Sequence, residues 1–207
     1  MDEATLRGHL AYGERRDVEI KGPGSIDDPG FLAHVARAAL ALSNHRDGGV
    51  IIIGAVPRTA PSFDLAPLDD AQLAGWRNRD VVADKIGPYG APQIISDIEE
   101  VPGALKCAVL RVHQFVETPV ICTKQQAFGT DLKLWRGVLY CRPAGGKPRS
   151  VPPEDPEQLR DVLTLAIQVG INKFIEQAYK SGALRPPAAA APSPSDEEKF
   201  KAQRGDL

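Results

Sequence analysis

The sequence predicts an α/β (α+β) fold, in which a small mixed β-sheet is flanked by helices. Two observations predict this fold: a strand–helix–strand unit near the N-terminus, and a series of short β-type segments after it. A third observation, an apolar stripe with helical spacing, adds a long amphipathic C-terminal helix. We therefore expect a single domain over residues 1–152, this helix over 153–182 and a flexible tail over 183–207.

The strand–helix–strand unit begins at the segment DVEIK. Val18 and Ile20 alternate there with charged residues, which is typical of a strand with one buried face. A helical pattern follows Asp27 and Asp28, which are suitable N-caps, and Pro29 suits the first turn. The segment GGVIIIG contains an uninterrupted run of β-branched residues, so we expect a strand that is buried on both faces.

The remaining segments complete the predicted fold. Residues 69–86 have a less regular helical pattern, and we expect one helix there. The segments PQIISDIEEV, LKCAVLRVHQF and TPVICTK predict three strands, and VLYCRPAGG predicts a short strand with a basic loop. Gly182 is a suitable end for the last helix. The segment after it is rich in Pro, Ala and Ser and then charged, which is typical of a flexible tail.

Composition limits the classes of function. The 207 residues carry a formal net charge of −2, so nucleic-acid binding would require a local basic surface. The three cysteines lack the spacing of a metal site and indicate reduced, buried thiols. No apolar run approaches the roughly 20 residues that a membrane helix needs, and the first residues do not form a secretion signal. We therefore expect a cytoplasmic protein without a membrane partner.

The segment GERRDVEIKG carries the candidate catalytic residues. Glu14 and Glu19 supply the hard oxygen ligands that Mg²⁺ or Mn²⁺ prefers, and Lys21 would stabilise negative charge on a phosphate. Glu14 precedes Glu19 by an odd number of positions, so the two carboxylates converge only if the chain bends around Gly13–Arg16. The alternative, which these residues alone favour, is a solvated strand face with ordinary ion pairs.

Two motifs in combination resemble the Schlafen/AlbA_2 domain family, whose members are described as DNA-binding or divergent AAA-4 ATPase-like modules. The first is ERRDVEIKG, and the second, after a helix, is ALSNHRDGGVIIIGA. A later segment, LWRGVLYCRPAGGKPRS, is similar to the late Tyr–x–Arg element of the family, so the resemblance covers roughly residues 10–167. The matching residues of the first two motifs are Glu14, Glu19, Ile20, Lys21, Ser43, Asn44, Gly48, Gly49, Ile53 and Gly54.

The resemblance implies a nucleic-acid-binding module, for DNA or RNA, within a bacterial nucleic-acid-processing or defence-associated assembly. In the vertebrate Schlafen branch it implies metal-dependent cleavage of tRNA or other structured RNA, with a third acid close after the IG pair. Here the residues VPR stand in that window, and the nearest acid is Asp64. One alternative function is therefore an endoribonuclease that uses Glu14, Glu19 and an acid from elsewhere, such as Asp64, to hold Mg²⁺ or Mn²⁺. Another alternative is a structural subunit with a degenerate site.

A basic surface is the expected contact for nucleic acid. Clustered cations bind phosphates, and glycines let a backbone approach closely. Trp135 and Tyr140 are either stacking surfaces for bases or core residues. The cations that we expect at this surface are Arg15, Arg16, Lys133, Arg136, Arg142, Lys147 and Arg149.

The segment SNHRDGGVIIIG has a structural interpretation. It lacks the Lys-Ser/Thr pair of a nucleotide-binding loop, so we interpret Gly48 and Gly49 as a tight turn. Asn44 is expected to cap the preceding helix, and Gly54 to allow a close neighbour. The long C-terminal helix with its tail suits a homo-oligomer or a larger complex, although the helix would equally pack on its own sheet.

Overall fold

The computed structural model describes residues 1–128, 132–144 and 149–184, with the backbone alone at Phe128, Leu132 and Lys133. The chain divides into two units, Met1–Ile167 and Gln168–Leu207. Lys147 and all but the first two residues of the expected tail lie outside the described residues. The predicted α+β class is confirmed, because helices flank a small mixed sheet and a long helix ends the described chain.

Five helices lie in the part of the chain that the structure describes. Helix α1 was not predicted, because a short helix with two buried leucines leaves little periodic signal in the sequence. The helices are α1 (Glu3–Tyr12), α2 (Pro29–Ser43), α3 (Asp70–Arg77), α4 (Arg79–Ile86) and α5 (Pro156–Lys180). None of them is both long enough and apolar enough to cross a membrane.

The single helix that we expected over residues 69–86 is wrong, since two helices meet there at Asn78. Asn78 has extended backbone, with ψ 107°, which ends α3. Its side-chain oxygen accepts hydrogen bonds from the N–H groups of Asp80 and Val81, at 3.1 and 3.2 Å, and so starts α4. Asparagine is a strong N-cap for this reason, and here the local cap prevails over the apolar periodicity.

The main sheet has four strands in the order β1-β2-β7-β6. Strands β1 and β2 are parallel, and the other two pairings, β2 with β7 and β7 with β6, are antiparallel. Three two-stranded ribbons pair β3 with β4, β5 with β8, and β9 with β10. The strands are β1 (Val18–Lys21), β2 (Gly49–Ile53), β3 (Ala55–Pro57), β4 (Phe63–Leu65), β5 (Gly90–Ala91), β6 (Ser96–Glu99), β7 (Ala108–Val112), β8 (Ile121–Cys122), β9 (Gln126–Phe128) and β10 (Leu132–Leu134).

The predicted strand–helix–strand unit is confirmed as β1–α2–β2. The carboxylate of Asp28 caps α2 by accepting hydrogen bonds from Gly30 N and Phe31 N, at 2.8 and 3.2 Å. Pro29 occupies the first helical position, where its missing N–H costs nothing. Every residue of β2 is buried, as its β-branched run predicted.

The two faces of β1 have different surroundings. Val18 and Ile20 belong to a hydrophobic cluster that includes Leu6 and Leu10 of α1. Because side chains alternate along a strand, Glu19 projects from the opposite face. Its register partner across the sheet is Ile51, which is fully buried. A carboxylate therefore lies on the same face of the sheet as a fully buried isoleucine.

The turn between α2 and β2 is a tight backbone contact. Gly48 has a φ of 70°, and a Cβ placed there would lie 2.0 Å from the carbonyl oxygen of Val112 in β7. At Gly49, a Cβ would lie 2.4 Å from the carbonyl oxygen of Asp17, in the loop before β1. The two glycines therefore allow the turn to pack closely against β7 and against the loop before β1.

We expect Gly48→Ala to lower the free energy of unfolding by more than about 2 kcal/mol, because it combines a left-handed backbone with a clash against a backbone carbonyl. Gly8→Ala is the matched control, since Gly8 lies in α1 and a Cβ there meets nothing within 4 Å. That variant should raise the stability by about 0.5–1 kcal/mol. Urea unfolding measures both. Equal effects of the two variants would contradict this description of the turn.

Candidate nucleic-acid interface

The N-terminal ends of β1 and β2 lie at the same edge of the sheet, because the two strands are parallel. The loop before β1 carries Arg15 and Arg16, and the loop before β2 carries His45 and Arg46. Neither His45 nor Arg46 was among the expected site residues. The signal that would have found them was present in the sequence, since two strands joined by a helix are normally parallel and their starting loops are neighbours.

Arg142 enters this edge as a buried residue. Its side chain is 0% exposed, and Nη1 pairs with the carboxylate of Glu19 and lies 3.3 Å from the Ser150 hydroxyl. Its Nη2 donates to the carbonyl oxygens of Arg15 and, at 3.0 Å, Val18. The Nε is buried and has no hydrogen-bond acceptor among the described residues. The structure thus places Arg142 inside the protein, where it joins its own segment to β1.

Glu19 lies between two cations. One carboxylate oxygen pairs with Lys21 and the other with Arg142. Burial by itself would raise the pKa of Glu19, but Lys21 and Arg142 together outweigh the burial and hold this pKa below its ordinary value. Glu19 is therefore an anion whose charge is balanced inside the fold.

Glu14 lies close to this pair because the chain bends as the sequence required. Arg15 and Val18 exchange two backbone hydrogen bonds, of 3.0 and 3.2 Å, which form the bend. One Glu14 oxygen accepts a hydrogen bond from Ile20 N at 3.3 Å. Burial, and next the negative charge of Glu19, raise the pKa of Glu14. The structure thus brings together the three residues that we singled out in this segment.

These carboxylates do not fit a Mg²⁺ or Mn²⁺ site. Within the described residues, no three Asp, Glu, His or Cys side chains are grouped so that they could hold a metal ion. Asp64 lies on β4 with a 59% exposed side chain, 3.6 Å from Arg58. Both oxygens of Glu19 are already occupied by Lys21 and Arg142, whose positive charges oppose a divalent cation. No catalytic step through a metal follows from this arrangement.

The other expected cations that the structure describes differ in their partners and exposure. Arg15 lies 3.4 Å from the carboxylate of Asp17, with its side chain 42% exposed. Arg149 forms an exposed ion pair with Glu154, and Arg136 is exposed after β10. The structure describes only the backbone of Lys133, and Lys147 lies outside the described residues.

The two aromatic residues of this region differ in their surroundings. Trp135 is 47% exposed, whereas Tyr140 is buried. The Tyr140 hydroxyl accepts a hydrogen bond from Trp135 N at 3.1 Å. Trp135 alone of the two therefore offers a surface on which a base could stack.

An open cleft with a volume of about 370 Å³ lies at the edge where the two loops meet. Arg16, His45, Arg46 and Arg142 are among the residues that line it, together with the acid Asp161 from α5. Arg16 is 41% exposed, and its Nε donates to the Arg142 carbonyl oxygen at 3.1 Å. Its Nη2 lies 3.8 Å from the Asp161 carboxylate, a distance too long for a hydrogen bond.

The pKa of His45 is lowered by the surroundings of the cleft. Burial lowers the pKa of His45, the nearby carbonyl of Gly48 opposes that shift, and the charges of Arg16 and Arg142 lower the pKa further. The Nδ1 of His45 lies 3.1 Å from the Gly48 carbonyl oxygen, so it is the nitrogen that carries the proton of the neutral ring. His45 is therefore neutral at pH 7, next to two arginines.

Asn44 holds the two sides of the cleft together. Its Nδ2 donates to the carbonyl oxygens of Val120 and Tyr140, at 2.8 and 3.0 Å, and its Oδ1 accepts from Val120 N at 2.7 Å. The residue ends α2 and is 4% exposed. Asn44 thus fixes the segment before Arg142 against the end of α2, which is a structural role.

Gly54, which follows β2, has a φ of 104°.

The sequence matches no protein-family model and no curated protein. Among solved structures, it is similar to the DIP2311 protein from Corynebacterium diphtheriae, with 16% identity and a TM-score of 0.42. That match covers 72% of this chain and 26% of the other, so this chain spans about a quarter of that protein. The N-terminal domain of a RecG-related helicase-like protein from Nitrosomonas europaea has 17% identity and a TM-score of 0.38 over 68% of this chain and 87% of that domain. No functional argument rests on likenesses at these scores.

We expect Glu19→Ala to lower the free energy of unfolding by about 3–5 kcal/mol, because it leaves the buried Arg142 guanidinium without its counter-charge. The double variant Glu19→Leu/Arg142→Met should lose less than Glu19→Ala, since it removes both charges. Asp64→Ala is the control and should cost under about 1 kcal/mol, because it removes an exposed pair. Chemical denaturation measures all three. A Glu19→Ala effect no larger than that of Asp64→Ala would contradict the structural role of the pair.

Glu14→Gln is expected to stabilise the protein at pH 7. Because the folded state raises the pKa of Glu14 above its ordinary value of 4.5, it binds the proton more tightly than the unfolded chain does. The stability that comes from this proton is complete below pH 4.5 and is lost as the pH rises through the folded pKa. The gain from glutamine should therefore grow between acidic and neutral pH. Melting temperatures of both proteins across that range test this, and a gain that does not change with pH would refute it.

Proposed function

We propose that this chain is a nucleic-acid-binding module that binds the phosphodiester backbone in the cleft between the loops before β1 and β2. The observation that carries this proposal is the convergence of Arg16 and Arg46 on one open cleft, beneath which Arg142 lies buried and paired with Glu19. Planar guanidinium groups match the oxygens of a phosphate, and clusters of them are the usual contacts of a nucleic-acid backbone. The volume of about 370 Å³ is in the range of small-ligand sites and suits a phosphate with part of its sugar.

The state of the arginines supports this role. Arg16 is partly exposed, and the contact of its Nη2 with Asp161 is long, at 3.8 Å, so a phosphate oxygen would be a better partner for this nitrogen. Arg46 is exposed at the turn after α2. Arg142 lies buried beneath them and holds the Arg16 side chain at the cleft through its backbone carbonyl. The neutral His45 adds no charge, and its acceptor nitrogen suits a sugar hydroxyl rather than a phosphate oxygen.

The Schlafen/AlbA_2 resemblance supports the same proposal. Its three motif segments meet at this edge of the sheet, through the Glu19–Arg142 pair and the hydrogen bond from Asn44 to Tyr140. In the resemblance, Glu14 and Glu19 belong to a phosphate-facing site. In this chain the ion pair between Glu19 and Arg142 holds the loop that carries Arg15 and Arg16, so we assign Glu19 a positioning role.

The metal-dependent endoribonuclease is the weaker hypothesis for this site. It requires a free carboxylate oxygen on Glu19 and a third acid, and neither is found among the described residues. The hypothesis of a purely structural subunit leaves the cluster of arginines at the cleft without a role.

We expect the double variant Arg16→Ala/Arg46→Ala to bind single-stranded RNA or DNA about tenfold or more weakly than the wild type. Its slope of log affinity against log salt should fall by about one to two units, because two phosphate contacts are lost. Arg79→Ala is the matched control, since Arg79 is an exposed arginine at the start of α4. Fluorescence anisotropy with short labelled oligonucleotides measures the affinities. Equal affinities of the double variant and the control would contradict the proposal.

Incubation of tRNA with the protein and Mn²⁺ separates binding from cleavage. We expect the tRNA to remain intact, because Glu19 has no oxygen free for the metal. Cleavage that depends on Mn²⁺ and disappears in Glu14→Gln would instead favour the endoribonuclease.

A further inference from the structure

Helix α5 has apolar side chains on two sides. Val162 and Leu165 are buried, with 3% and 6% exposure. Elsewhere on the helix, seven large apolar side chains are between 38% and 68% exposed. Their spacings of three and four residues arrange them in one continuous stripe that winds slowly along the helix. This exposed stripe consists of Leu159, Leu163, Ile167, Ile171, Phe174, Ile175 and Tyr179.

An exposed stripe of this size indicates an interaction surface, because monomeric proteins rarely leave a contiguous apolar patch of more than a few hundred Å² in water. At roughly 100 Å² for each half-exposed side chain, the stripe approaches the roughly 800 Å² per partner that a stable interface buries. We propose that a second copy of this chain covers the exposed stripe, with the two α5 helices antiparallel and crossing at Gly170.

Residues 185–207 do not supply enough apolar surface to cover the stripe. Residues 185–207 contain only two large apolar residues, Phe200 and Leu207, and four prolines. Proline interrupts a helix, so this segment is poorly suited to pair with α5 along its length. A second α5, in contrast, offers an identical stripe of equal length.

Gly170 supports a crossing of two helices near the middle of the exposed stripe. Glycine inside a helix costs about 1 kcal/mol relative to alanine. A Cβ at Gly170 would meet nothing within 4 Å, so packing among the described residues gives no reason for the glycine. The residue lies next to the midpoint of the stripe, whose ends are Leu159 and Tyr179. A missing side chain there lets a second backbone approach closely.

The charges along α5 favour the antiparallel orientation. The segment from residue 154 to 161 has four carboxylates and one arginine, whereas that from 173 to 180 has two lysines and one glutamate. Antiparallel helices that cross at Gly170 place residue 160 of one copy beside residue 180 of the other, so the acidic segment of each copy ends next to Lys180 of its partner. Parallel helices would place like charges together, which disfavours pairing.

The oligomeric state of the full chain tests the proposal. Light scattering during size-exclusion chromatography should give a dimer for the wild type and a monomer for Leu163→Glu/Phe174→Glu. Asn172→Glu is the matched control: it adds the same charge at an exposed polar position of the same helix, outside the stripe, and should remain dimeric. A wild type that stays monomeric at high concentration, or a double variant that stays dimeric like the control, would overturn the proposal.

Gly170→Ala separates packing from helix stability. In the monomeric double glutamate variant, Gly170→Ala should strengthen the helix and raise the melting temperature. In the otherwise wild-type protein, it should weaken the dimer severalfold. An unchanged or tighter dimer would contradict a crossing at Gly170.

Cysteine crosslinking tests the orientation. In antiparallel helices that cross at Gly170, the two copies of residue 163 are about 21 Å apart along the axis, beyond the reach of a disulfide. Ile171→Cys, close to the crossing, should therefore crosslink on oxidation and Leu163→Cys should not. The three native cysteines are buried and should not interfere. Efficient crosslinking of Leu163→Cys would show parallel helices instead.

Dimer formation is independent of the function proposed above. A second monomeric variant, Ile171→Glu/Phe174→Glu, changes no residue next to those that line the cleft, and it should bind a short oligonucleotide with the wild-type affinity because Arg16 and Arg46 are unchanged. Failure of either proposal therefore leaves the other open to its own test.

Discussion

The buried ion pair between Arg142 and Glu19 is the interaction on which the rest of this structure depends. A charge removed from water is costly unless it is paired and hydrogen-bonded, and here the guanidinium meets a carboxylate, a hydroxyl and two backbone carbonyls. Because its partners lie in β1, in the loop before β1 and at Ser150, the pair connects segments that are distant in the chain. Lys21 completes the neutralisation of Glu19 from the other side.

The ion pair also determines where the cations of the cleft lie. Arg142 binds β1 through its side chain, and its backbone carbonyl accepts a hydrogen bond from Arg16. Asn44 holds the neighbouring residue Tyr140 at the end of α2, from which the turn with His45 and Arg46 starts. Side chains from three segments therefore take fixed positions around one opening. Of the two carboxylates that suggest metal chemistry in the sequence, Glu19 pairs here with Arg142 and holds it in place, which is the positioning role that we propose for it.

The sequence was informative where local rules determine the structure. The Asp28 cap, the helix after it and the fully buried β2 follow from capping and from periodicity within a few residues. Helix α1 was not predicted because Leu6 and Leu10 are its only buried residues. The break at Asn78 was not predicted because the cap there competes with the apolar periodicity of residues 69–86. The role of Arg142 was not predictable, since its partner Glu19 is 123 positions away. As a basic residue in a glycine-containing loop, it has the sequence context of a surface cation.

The measurement that tests this account most directly is the titration of the isotope-labelled protein with Mn²⁺, followed by the backbone amide signals in NMR spectra. A bound paramagnetic ion broadens the signals of nearby amides. If the charge of Glu19 is balanced by Lys21 and Arg142, the amides from Glu14 to Lys21 should broaden no more than those of other exposed acidic segments, such as the one around Asp64. Selective broadening of the Glu14–Lys21 amides at substoichiometric Mn²⁺ would contradict the account, because it would place a metal where we place an ion pair.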